Sequence, residues 1–150
     1  MPLVTHEKDG LVYFTSEQIY VPHGFSTRKG GVSKPPYDSL DLGPNRGDDP
    51  AAVLENSRRF CAALGADVER TVLSAQGLFR ERDYPADALI TNERGLSLEV
   101  FSADCGNLLL WDSKSGAVGA IHAGWRGCSA GIIENTICKM IELYRSSPAD

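Results

Sequence analysis

No CxxC pair occurs among the four cysteines, Cys61, Cys105, Cys128 and Cys138, and nothing marks the chain as secreted. A disulfide framework is therefore excluded as its organising device. No apolar run approaches the roughly 20 residues needed to span a bilayer. The start, Met1-Pro2-Leu3-Val4-Thr5-His6-Glu7-Lys8-Asp9, lacks the apolar stretch of a signal peptide. The expectation is a cytoplasmic protein with no membrane partner. A basic tract is also missing: 15 Lys and Arg stand against 20 Asp and Glu, for a net charge of −5. Without counterion release to hold a phosphate backbone, no nucleic-acid partner is expected. There is no Gly-Lys-Ser/Thr P-loop and no internal repeat. Histidine is scarce as well, with only His6, His23 and His122.

What is present suits an ordinary globular core, since 42% of the 150 residues are hydrophobic and 23% charged. Residues 1–150 read as a single domain. Leu11 to Thr15 and Ile19 to Val21 are β-rich, and the segment His23 to Ser33 that follows is a loop or hairpin turn. From Ser33 to Asp49 the chain is rich in Pro, Asp, Gly and Asn, too long a connection to be merely a link. Asp49 then supplies an N-cap and Pro50 the first helical position. Val53, Leu54, Phe60, Cys61 and Leu64 recur at helical spacing until Gly65. Short strands are expected at Thr71 to Ala75, Ala88 to Thr91, Leu96 to Phe101, Leu108 to Trp111 and Ala117 to Ile121. A last helix is expected from Ser129 to Tyr144, with Ile133, Ile137, Met140, Ile141 and Tyr144 in one stripe and Cys138 as core beside it. Many strands with two helices predict an α+β fold. The polar stretch Arg145 to Asp150 reads as a stop or linker with another layer expected beyond it, which would leave a sheet edge open to self-association.

The strands flanking Asp112-Ser113-Lys114-Ser115-Gly116 have the form of an antiparallel hairpin. If Asp112 faces Ser115, the same register sets Cys105 opposite His122, with Cβ atoms roughly 4.5–5.5 Å apart. Such a pair can hold one metal ion, zinc suiting a thiolate and an imidazole, with a third ligand and an open position needed for catalysis. Without metal it is a thiol with a base beside it, and Asp104 is a candidate to orient the histidine. The alternative is purely structural, a packed cysteine and a hydrogen-bonded histidine. Arg28 and Lys29 beside Gly30-Gly31 form a cationic turn whose N–H groups could receive phosphate, or simply a solvated glycine turn. Arg126, just before the last helix, is a second candidate to meet an anionic substrate. Cys128 reads as packed, with a spare thiolate ligand near the helix N-terminus as the alternative, His6 as solvated, and Asp48 and Asp49 as helix-start acids.

Ala103-Asp104-Cys105 and His122-Ala123-Gly124-Trp125-Arg126-Gly127, the latter followed by Gly131-Ile132-Ile133, resemble blocks of the YfiH-type laccase-domain family. The resemblance extends to His23 through Ser33, Tyr37 through Gly43, Gly47 through Pro50, Glu55-Asn56 and Asp87 through Thr91, in the expected order. Members of this family have been called polyphenol oxidases and are now regarded as purine nucleoside phosphorylases. The resemblance implies a layered α/β sandwich and a metal, usually zinc, on Cys105 and His122. It also implies phosphorolysis of adenosine, inosine, guanosine and methylthioadenosine, with adenosine deamination as a second activity.

Two departures from the family stand out. Its third ligand, a histidine two residues after a glutamine, is replaced here by Leu78 after Gln76, and the stretch to Asp87 is short. Family members also continue well past the last helix, so the sequence reads as a partial or degenerate copy. The competing functions are a catalytically impaired fragment, a metal-free hydrolase using the Cys105/His122 dyad, and a copper polyphenol oxidase.

Overall fold

The computed structural model describes residues 3–74 and 86–149, which form two compact units divided between Arg70 and Thr71. The class is α+β, with three small sheets and few helices among the described residues. No described helix is long and apolar enough to cross a membrane.

In the first unit, β1 (Leu3–Lys8), β2 (Leu11–Ser16) and β3 (Phe25–Ser26) make an antiparallel sheet in that order. His6, expected to be solvated, thus lies in a strand. Asp9 and Gly10, both at positive φ, form the two-residue turn that joins β1 to β2. His6 accordingly stacks on Tyr13 at 5.0 Å and meets the Thr15 hydroxyl at 2.7 Å. Helix α1 (Pro50–Leu64) begins and ends where its caps predict: the Asp49 carboxylate accepts from the Ala51 N–H, and Gly65 closes it in the left-handed region. Val53, Phe60 and Cys61 on its apolar face are buried, as are Leu11 and Tyr13 of β2, and Phe60 stands edge-on to Tyr13.

The long connection has no regular structure, and one side chain of α1 anchors it to the helix. Asn56 of α1 is 0% exposed. Its Oδ1 accepts from the Val32 N–H at 2.8 Å, and its Nδ2 donates to the Ser33 hydroxyl and to the carbonyls of Ser39 and Asp41. Gly31 packs so closely that a Cβ there would overlap the Ser39 carbonyl and Leu40.

In the second unit, β4 (Thr71–Leu73) pairs in parallel with β6 (Ser97–Glu99). β5 (Ala88–Thr91), β8 (Val118–Ala123) and β7 (Gly106–Trp111) form an antiparallel sheet with β8 in the middle. The expected last helix is two pieces, α2 (Trp125–Ser129) and α3 (Ile132–Tyr144), because Gly131 between them sits at φ +75°. Met140 and Thr136 are buried, whereas Cys138, expected in the core, is exposed.

The β7–β8 register differs from the expected one by two residues. Asp112 pairs with Ala117 and not with Ser115, since its N–H donates to the Ala117 carbonyl at 2.9 Å. The cause is local: Gly116 takes a left-handed conformation, and the Asp112 carboxylate accepts from the Lys114 and Ser115 N–H groups, which lengthens the turn. That carboxylate is held far below the usual carboxylate range by the Ser115 hydroxyl foremost, then by the Ser146 hydroxyl and the Lys114 N–H. A depressed folded-state pKa contributes stability above the unfolded value of about 3.9, lost as pH falls through it toward the folded value. Asp112→Asn should therefore remove part of the acid-side fall in stability below about pH 4. Urea denaturation at a series of acid pH values checks this; identical slopes in parent and variant would refute it.

Candidate metal centre

The two-residue difference in register keeps every side chain on its expected face, because strand side chains alternate with a period of two. Asn107, not Cys105, pairs directly with His122. Cys105 lies one residue before β7, diagonal to His122 and on the same face. Its carbonyl accepts from the Ser102 hydroxyl at 2.9 Å, and its side chain is exposed.

The two side chains nonetheless converge. A Cβ built on Gly124 would stand 3.4 Å from Cys105 Sγ, 3.4 Å from His122 Cε1 and 3.7 Å from His122 Nε2. Thiol and imidazole thus border one small space that exists because residue 124 has no side chain. Gly124 sits at φ −70° and ψ 160°, a conformation open to any residue, so its backbone does not require glycine.

His122 is fixed from its other side by Asp87. The Asp87 carboxylate lies 3.0 Å from Nδ1, and the Asp87 carbonyl accepts the His122 backbone N–H at 2.7 Å. The His122 side chain is 19% exposed and that of Asp87 56%. With Nδ1–H donating to the carboxylate, Nε2 is the unprotonated nitrogen and borders the Gly124 space, the arrangement of a metal-ligating histidine with its carboxylate partner. Asp87 takes the orienting role considered for Asp104. It lies 35 residues from His122 in the chain, and its sequence signal was its place immediately before the strand Ala88 to Thr91.

Sulfur and nitrogen donors suit zinc or copper. Among the described residues, no cluster of three His, Cys, Asp or Glu completes the set. Leu78 and its neighbours lie outside the described residues.

The other candidates fall as follows. Arg126 is the second residue of α2, and its guanidinium lies 4.7 Å over the ring of Trp125, which is 74% exposed. Cys128, expected to be packed, is exposed, its Sγ 3.6 Å from the Ala123 carbonyl. Arg28 lies in the first unit, where Nε and Nη2 donate to the Asp38 carbonyl at 3.0 and 2.6 Å. The Gly30 and Gly31 N–H groups, considered as phosphate donors, both donate to the Ser39 hydroxyl, at 3.1 and 3.2 Å. His23 is structural, accepting the Ser16 N–H at 2.8 Å and meeting the Val21 carbonyl.

Known proteins share this architecture. The purine nucleoside phosphorylase of Deinococcus radiodurans is 39% identical over 141 residues, covering 89% of this chain and 55% of that protein. One from Corynebacterium glutamicum is 40% identical over 131 residues, covering 79% and 53%. The chain therefore spans about half the length of the curated relatives it matches. Among solved structures, the hypothetical protein YfiH of Bacillus licheniformis superposes with a TM-score of 0.83 at 26% identity, covering 97% of this chain and 61% of that one. YlmD of Geobacillus stearothermophilus gives 0.79 at 28% identity, covering 93% and 59%. Residues 22–150 match the family described as multi-copper polyphenol oxidoreductase laccase, and the chain belongs to that YfiH-type laccase-domain family.

Proposed function

We propose that the chain acts in purine nucleoside chemistry as a metal-dependent phosphorylase. Its substrates are adenosine, inosine, guanosine or methylthioadenosine with phosphate, and adenosine deamination is a second activity. The observation that carries this reading is the convergence of Cys105 Sγ and His122 Nε2 on the space at Gly124, with Asp87 behind the imidazole. The names of the relatives supply the substrate class.

In phosphorolysis a phosphate oxygen forms a bond to ribose C1′ as the C1′–N9 bond breaks, and the electron pair leaves with the purine. Cys105 and His122 would hold the cation, which when bound supplies Lewis acidity next to the substrate. Asp87 fixes the ring and tautomer of His122 and carries no proton to the substrate. Arg126, close in sequence to Gly124 and at the surface, is the cation proposed to meet phosphate or ribose. The reading includes a cytoplasmic location, and self-association through a sheet edge remains part of it.

The test is chromatographic: adenosine and inosine are incubated with the chain, with and without phosphate. Phosphate-dependent release of free base, lost in Cys105→Ala and His122→Ala, is the expected result. No base release from the zinc-loaded chain would overturn the activity and favour the impaired fragment.

One observation favours a second reading. Asp87, His122 and Cys105 stand in the order carboxylate, imidazole, thiol, which is that of a nucleophilic triad. A metal-free hydrolase would survive chelator and lose activity to iodoacetamide, whereas the metalloenzyme loses activity to chelator and regains it with zinc. A copper oxidase would be coloured and would regain activity with copper.

A further inference from the structure

We propose that the side-chain oxygen of Asn107 is the third protein donor to the cation held by Cys105 and His122. The proposal rests on reading that pair as a metal site. Asn107 pairs with His122 in the β7–β8 ladder. The His122 N–H points the other way, to the β5 side, where it donates to the carbonyl of Asp87 just before that strand. The Asn107/His122 pair is therefore a non-hydrogen-bonded one, the kind in which facing Cα atoms lie about 4.5 Å apart and side chains approach most closely. Cys105, two residues before Asn107, stands on the same face.

Asn107 Oδ1 is buried and accepts no hydrogen bond from the described residues. A carbonyl oxygen removed from water without a donor or a cation is a standing cost, and native structures leave few of them. This one stands on the face that carries the thiol and the imidazole. At the position where the family resemblance places a histidine ligand, Leu78 offers no donor atom. Asp87 is engaged with Nδ1 on the far side of the ring. An amide oxygen is a neutral, harder donor than histidine. The resulting sulfur, nitrogen and oxygen set should bind zinc less tightly than one with a second imidazole, and should tighten when the oxygen gains charge.

The test uses the full 150-residue chain. Zinc affinity is measured by competition with a chromophoric chelator, and cobalt loading is followed by its thiolate charge-transfer and d–d absorption. Asn107→Leu should weaken zinc by at least about tenfold and alter the d–d bands while the thiolate band remains. Asn107→Asp should tighten zinc, and it decides the matter if the leucine variant fails to fold. Parent affinity and an unchanged cobalt spectrum in Asn107→Leu, or no tightening in Asn107→Asp, would overturn the role of Asn107. If Cys105→Ala and His122→Ala themselves bind zinc like the parent, the pair is not a metal site. That failure is separate, and the inference falls with it.

Discussion

Asn56→Leu is expected to destabilise the protein by about 3–5 kcal/mol, at the upper end for a single substitution. Leucine fills a similar volume but removes every hydrogen bond made by the fully buried amide. The Val32 N–H and the Asp41 carbonyl lose partners that each sit 2.8 Å away. Each buried group left unpaired costs about 1–3 kcal/mol, and the whole connection from Val32 to Asp41 loses its anchor on α1. Against a typical total of about 5–15 kcal/mol, that is a large share. Asn56→Asp is the sharper control: it keeps an acceptor for Val32 but turns an acceptor toward the carbonyls of Ser39 and Asp41. Urea denaturation should show both variants with lowered midpoints. A midpoint within a few tenths molar of the parent would mean the loop is held by something else. Gly31→Ala should resemble them, since its Cβ would overlap the Ser39 carbonyl and stand 2.6 Å from Asn56 Oδ1.

The second large effect is expected at Gly124. An alanine methyl there meets Cys105 Sγ and His122 Cε1 at 3.4 Å, which is ordinary contact, in a backbone conformation that suits alanine. The fold should be unaffected, with a melting temperature within a degree or two of the parent. The methyl nevertheless stands in the space that thiol and imidazole share, and zinc affinity should fall by at least about a hundredfold, the loss of both close bonds being the extreme case. Calorimetric titration with zinc checks it. Undiminished binding in a folded Gly124→Ala would place the cation elsewhere and remove the main support for the proposed chemistry.

Features written in local chemistry were legible in the sequence, and those depending on distant partners were not. Helix α1 could be read to the residue because Asp49, Pro50 and Gly65 each act on the backbone beside them. The β1–β2 hairpin carried an equally local signal in Asp9-Gly10, but the polar character of Leu3–Lys8 concealed it, since that strand is largely exposed. The β7–β8 register was off by two because turn length was set by the Asp112 carboxylate and by Gly116, details invisible to a simple pairing rule. The thiol and imidazole still share a face, because a shift of two leaves a side chain on its own side of the sheet. Asp87 is brought to His122 only by the pairing of β5 with β8, and Asn107 becomes notable only when its oxygen is seen to be buried without a partner among the described residues.

The two halves of the donor pair differ in how firmly they are fixed. His122 belongs to the central strand, its N–H engaged by the Asp87 carbonyl just before β5 and its ring by the Asp87 carboxylate, while Cys105 sits just outside the ladder in the bend after Ser102. The consequence is an order of events. On the proposed metal reading, the imidazole would take the ion first and the sulfur second. Amide deuteration should be slow at His122 and fast at Cys105, and the thiolate should be the arm that lets go first when the ion is exchanged.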